Sequence, residues 1–166
     1  TKAAKCGAVT PVMCGSAVKS VGIKDLLDMI IDYFPSPVDR PAVEAVKGDA
    51  GEKVLIEPNA GAPFSALVFK TLSDPFLGQI SIFRVFSGKL PSNGGFLNAS
   101  KGAREKIGQI FSLMGKAQTP IEAAAAGDIA CVSKLKETVT GDSISDEKAA
   151  IKFPDIQFPE PAISFS

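Results

Sequence analysis

Apolar residues follow two different periods along this chain. Between residues 23 and 34, Ile23, Leu26, Leu27, Ile30, Ile31 and Phe34 recur at the spacing of one helical face, while Lys24, Asp25, Asp28 and Asp32 take the other. The spacing predicts a helix that starts after Gly22, gains from Asp25 near its positive end and stops at Pro35-Ser36-Pro37, because proline has no N–H to continue the ladder. Residues 9–13 form a short apolar run with β-branched members and are predicted to be a strand. One strand and one helix cannot cover that apolar stripe, so a partner domain is expected over it.

From Pro63 onward, short apolar runs alternate with turn residues. Residues 64–72 are broken only by Ser65, Lys70 and Thr71, which predicts a strand covered on both faces, and an Asp74-Pro75 turn leads into a second long strand closed by Ser87-Gly88. Ile80, Ile82 and Phe86 share a face of that second strand, with Arg84 among them. Further turns fall at Asn93-Gly94-Gly95, Lys101-Gly102, Gly127-Asp128 and Thr140-Gly141-Asp142, and their spacing predicts a small closed barrel. Residues 123–126, four alanines ahead of Gly127, are too short for a helix and read as a tight connection. The resulting plan is an N-terminal strand and helix over residues 1–36, a connection over 37–62 with one strand candidate at 53–57, a barrel over 63–153 and a stiff, proline-marked exit over 154–166.

Composition narrows the function classes. With 166 residues, 45% apolar and 22% charged, the chain holds one generous domain plus a smaller piece. Eighteen basic residues balance eighteen acidic ones, so a nucleic-acid surface has to be a local patch. Three cysteines, odd in number and widely spaced, fit a reduced cytoplasmic protein rather than a disulfide framework or a zinc site. Cys14 and Cys131 read as packing residues. Histidine is absent, which removes Ser-His and Cys-His pairs and argues against a self-contained hydrolase. No run of about 18 apolar residues is present to span a bilayer, and the first residues lack the apolar core of a signal peptide. A monomer without membrane attachment is expected, and both ends read as cut from something longer.

Four groups of residues carry candidate chemistry. Cys14-Gly15-Ser16-Ala17, between a strand and a helix, places backbone N–H groups where they can donate to a ligand carbonyl; alone, it reads first as a small-residue turn packed under the helix. Lys101, Arg104 and Lys106 cluster at a hairpin with only Glu105 opposing them, which suits phosphate contacts as well as a solvated charged turn. Arg84 reads as an internal fork onto Asp128 or Asp142 ahead of an RNA contact, since buried charges are usually paired. Phe64, Phe69, Phe83 and Phe86 read as core rather than base-stacking platforms, with Phe76 in the Asp-Pro turn as the exception.

In order along the chain, PVMCGSAVKSVGIKDLLDMIIDYFPSP closely resembles the end of the G domain of elongation factor G. ALVFKTLSDPFLGQISIFRVFSGKL, KGAREKIGQI, AGDIA, TVTGD, DEK and FPEPAI resemble its second domain and the link toward the third. The resemblance covers nearly the whole chain except residues 44–61. It implies a mainly β protein: a translation-factor-type β-barrel preceded by the C-terminal strand and helix of an α/β G domain. It also implies that Ser16, Ala17 and Val18 form a guanine-binding turn, and that the barrel faces small-subunit rRNA, which favours Lys101, Arg104 and Lys106 as RNA contacts. The ribosome and guanine nucleotide would be partners of the intact protein, with GTP and Mg as its cofactors and none for this chain alone. Neither GxxxxGK[ST] nor Asn-Lys-x-Asp occurs, so the chain by itself is not expected to be a GTPase. Met114-Gly115-Lys116-Ala117-Gln118 departs from the main factor and resembles the Gly-Lys-x-Gln loop of its paralogues, and Val132-Ser133-Lys134-Leu135 also departs from the main factor. A ribosome-protection-type GTPase and a free-standing β-barrel interaction module are the alternatives.

Overall fold

The computed structural model describes residues 2–48, 51–74, 78–115 and 117–159. They fall into two units, Thr1–Arg40 and Pro41–Ser166. No helix among the described residues is long and apolar enough to cross a membrane.

The first unit holds α1 (Lys2–Lys5), α2 (Ile23–Tyr33) and a 3-10 turn over Pro37–Asp39. Gly22 supplies the left-handed N-cap at φ 72°, and Phe34 turns extended after its N–H donates to the Ile30 carbonyl at 3.1 Å. Both helix boundaries therefore lie where glycine and proline place them. The apolar stripe is uncovered: no residue of α2 is buried, and Ile31 is 77% exposed. The strand expected at residues 9–13 does not form; residues 10–15 are irregular, and the described part of the unit shows only an isolated Ser16–Val21 bridge. A strand exists by pairing its backbone groups with a neighbour, and an apolar run alone does not supply one.

The second unit contains β1 (Val43–Lys47), β2 (Glu52–Ile56), β3 (Ser65–Asp74), β4 (Gly78–Ser87), β5 (Lys89–Pro91), β6 (Gly95–Asn98) and β7 (Ala103–Lys106). These are followed by β8 (Ile110–Met114), β9 (Ala117–Ile121), β10 (Ala123–Ala125), β11 (Ile129–Ser133), β12 (Ser143–Ser145) and β13 (Ile151–Lys152). An eight-stranded antiparallel sheet in the order β7-β6-β12-β3-β4-β11-β8-β9 gives the barrel-like body. Its core gathers Phe64, Val68, Phe83, Val85, Phe96, Ile110, Val132 and Ile144, together with Leu90 and Ala124 from the β5–β10 ribbon.

β4 is buried on both faces. Phe83 and Val85 face the main core, Ile80 and Ile82 pack with Cys131, and Phe86 meets Phe153 with ring centroids 4.5 Å apart. β3 is covered so completely only as far as Val68. A register shift lies between Val68 and Lys70, and beyond it Phe69 and Leu72 are 38% and 39% exposed, so Phe69 is not a core residue. Phe76 lies outside the described residues.

Residues 37–62 are more than a connection. β1 and β2 form an antiparallel hairpin from Val43↔Ile56 to Lys47↔Glu52, and β13 joins the other edge of β1. Ala45, Ile151 and Phe153 form the centre of its apolar face, with Val43, Val54 and Ile56 packed around them. The alternation of Val43 with Ala45 and of Val54 with Ile56 is the strand signal, shortened by the glycines between them. The alanine run is also a strand: β10 pairs with β5, because Ala124, fully buried, allows close approach.

Gly88 sets the tightest turn. Its φ is 72°, and a Cβ there would lie 2.5 Å from the Phe64 backbone, whereas at Gly102, φ 69°, a Cβ would meet open space. Gly88→Ala is expected to lower the unfolding free energy by about 3 kcal/mol and Gly102→Ala by only about 1 kcal/mol, measured by urea denaturation. Equal losses at the two sites would rule out the close approach as the cause.

Candidate nucleic-acid interface

A dense hydrogen-bonded cluster surrounds the end of β6. Asn98 is fully buried, and its Nδ2 donates to Thr138 Oγ1 at 3.1 Å and to Asp142 Oδ2 at 2.9 Å. Its Oδ1 accepts from the backbone N–H groups of Ser100 and Lys101, each at 3.1 Å. Asp142 Oδ2 also accepts from Val139 N at 2.9 Å and lies 3.4 Å from the Lys101 ammonium, which donates in addition to the Glu137 carbonyl. Thr138 donates to one Glu105 oxygen, and the other accepts from Lys136 N at 2.7 Å. Every carboxamide atom of Asn98 is thus used, the condition under which burying a polar group is tolerable. The knot fixes β7 and the turn before it against the loop over residues 136–142.

It also divides the three candidate cations. Lys101 sits in the turn rather than on the strand and is tied inward to Asp142. On β7, side chains alternate: Glu105 goes into the knot, while Arg104 and Lys106 share the opposite, exposed face. Arg104 Nε lies 3.7 Å from Glu147 Oε2, with the arginine side chain 72% exposed. Among the described residues, Lys106 has no ion-pair partner. The structure therefore brings Arg104 and Lys106 together and sets Lys101 apart. A further cation borders the same surface: Lys89 on β5, across a groove of about 740 Å³. Its place follows from the β5–β10 pairing, which three-residue strands do not announce in sequence.

Among the described residues, Arg84 forms no ion pair with a carboxylate. Asp128 Oδ2 accepts from Ala125 N at 2.9 Å and Asp142 belongs to the knot, while the Arg84 guanidinium lies over the Phe86 ring, 5.9 Å from its centroid. The half-buried arginine uses an aromatic face instead.

In the first unit, Ser16 and Val21 exchange backbone hydrogen bonds of 3.0 and 3.1 Å around a tight loop, within which Ser20 N donates to the Ala17 carbonyl at 3.2 Å. Lys19 N reaches Ser16 Oγ at 3.3 Å. Gly15 and Gly22 permit the loop, since a Cβ on Gly22 would stand 2.9 Å from the Cys14 carbonyl oxygen. The Ala17 and Val18 amides have no acceptor among the described residues, and Val18 is 98% exposed. Ser16, Ala17 and Val18 thus form an open turn with two amides able to donate to a ligand. Cys14 is exposed rather than packed, whereas Cys131 is buried, and burial pushes its thiol pKa up despite a backbone hydrogen bond from Phe111. A thiol held neutral in this way is a poor nucleophile.

Residues 63–147 match the family model for elongation factor G domain 2. Among solved structures, a protein from Thermus thermophilus superposes with a TM-score of 0.66 at 24% identity, over 92% of this chain and 20% of that one. This chain therefore spans about a fifth of that relative's length.

The division of the cations has a measurable consequence. Asn98→Ala strands buried partners and is expected to cost about 2–4 kcal/mol in urea denaturation, and Lys101→Ala, which uncovers Asp142, about 1–2 kcal/mol. Arg104→Ala and Lys106→Ala should each stay within about 0.5 kcal/mol of the parent. A Lys101→Ala variant as stable as those two would remove its anchoring role.

Proposed function

This chain belongs to the elongation factor G domain 2 family, and from that premise we propose that it is the part of a translational GTPase that docks on small-subunit rRNA. The observation that carries the reading is the presentation of Arg104 and Lys106 on one exposed face of β7, over the fully bonded Asn98 knot. Phosphate contacts fix position without reading sequence, and they are made by exposed, long cationic side chains. Holding those side chains on a braced strand lowers the entropy lost on docking. Lys101 serves the interface by fixing the strand that carries the contacts.

The nucleotide belongs to the intact protein. Ser16, Ala17 and Val18 would supply backbone donors to a guanine ring, an assignment supported by the unbonded amides of Ala17 and Val18. The phosphates and Mg would be held by a phosphate loop, and the base chiefly by an Asn-Lys-x-Asp motif, neither of which this sequence contains. In that protein the barrel would pass the GTP state from the G domain toward the domains that follow. The departures over residues 114–118 and 132–135 favour a paralogue of the main translocating factor.

Two measurements test the proposal. In the intact protein, replacing Arg104 and Lys106 with alanine should weaken cosedimentation with ribosomes and reduce the slope of log K against log salt by roughly 1 to 2. Unchanged sedimentation at every salt concentration would refute the docking face. The isolated 166-residue chain should release no phosphate from GTP above a buffer blank; turnover that survives repurification would mean that the chain holds a complete site.

A further inference from the structure

The groove beside β7 has a second wall, and its charges are unevenly committed. It runs between Arg104 and Lys106 on one side and Lys89 and Pro91 on the other, with Gly94 and Gly95 also lining it. Gly94 is there by necessity, since a Cβ would come within 2.9 Å of the Pro91 carbonyl oxygen, and the absence of side chains at both glycines keeps this stretch low. Three acids also border it. Glu105 is committed to Thr138 and the Lys136 amide, and Asp146 Oδ1 accepts from the Lys148 N–H at 3.0 Å. Both keep their charge, so three carboxylates face the three cations, but among the described residues only Glu147 pairs with a cation of the groove, 3.7 Å from Arg104. Among the described residues, Lys89 and Lys106 form no ion pair.

We propose that this groove is a phosphodiester track, in which Lys89 is a third backbone contact and Glu147 is a resident competitor that RNA phosphate displaces from Arg104. The inference rests on the phosphate-binding reading of β7. An ion pair at 3.7 Å between side chains 72% and 47% exposed is weak enough to exchange, and a phosphate offers the guanidinium a bidentate acceptor in place of a single oxygen contact. One isolated phosphate gains only that exchange. A polymer gains Lys89 and Lys106 in the same event, so Glu147 selects for a continuous backbone over a free anion.

The test uses the 166-residue chain and a fluorescent single-stranded oligouridylate, followed by anisotropy over a series of KCl concentrations. Lys89→Ala is expected to weaken binding about three- to tenfold and to reduce the salt slope by about 0.7, the value for one phosphate on a single strand. Glu147→Gln is expected to tighten binding about two- to fivefold, as loss of a surface competitor implies. If both variants match the parent while Arg104→Ala and Lys106→Ala weaken binding, the track is refuted and the docking face stands. If the parent does not bind, or none of the four variants changes affinity, the track falls, and the ribosome sedimentation of the Arg104 and Lys106 double variant decides the docking face separately. A Glu147→Gln variant that binds more weakly would overturn the competitor role.

Discussion

One buried carboxamide organises the β6–β7 end of the barrel. Asn98 makes two donor and two acceptor bonds where no water is needed to complete them, and they tie the loop that carries Thr138 and Asp142 to the turn that carries Lys101. No other side chain offers both functions at that length. A carboxylate would set a second negative charge against Asp142, and an aliphatic residue would leave buried partners unpaired at about 1–3 kcal/mol each. The apolar core decides that a barrel forms. The knot decides where β7 stands on it.

Around that point, apolar packing is arranged in three clusters that meet on β4. Its inward residues Phe83 and Val85 belong to the barrel, Ile80 and Ile82 to a patch shared with Cys131 and flanked by Phe111 and Leu113, and Phe86 to the small sheet of β13, β1 and β2. A strand covered on both faces cannot shift its register without exposing one set of side chains, so β4 fixes its neighbours against one another. Arg84 fits the same scheme: its charge stays at the half-buried margin, over the Phe86 ring, and costs no buried carboxylate.

Much of this was legible in sequence because the signals were local. The 3.6-residue period of α2, the glycine and proline at its ends and the turn residues after β4 and β6 each act within a few positions. What stayed hidden depends on residues far apart in the chain. Asn98 and Asp142 are 44 positions apart, and nothing near either names the other. Lys101, Arg104 and Lys106 look alike in a string of letters; strand alternation starting at Ala103 turns two of them outward, while the turn hands the first to Asp142. The strand foreseen at residues 9–13 failed for the complementary reason: its apolar pattern was present, but pairing is supplied by a neighbour.

The pairing of β1 with β13 has a mechanical consequence. Val46 faces Lys152 and Lys47 faces Ile151 in antiparallel register, so the chain comes into the second unit and leaves it on adjacent strands, from the same end. Tension applied between residues 41 and 159 would therefore peel this short ladder one pair at a time, rather than shear many bonds together. The eight-stranded sheet lies behind the ladder and would carry load only after it had opened. A pull between the flanking parts of a longer protein would meet a soft clasp first, and the Asn98 knot, with the cations it holds in place, would keep its shape while the clasp extended.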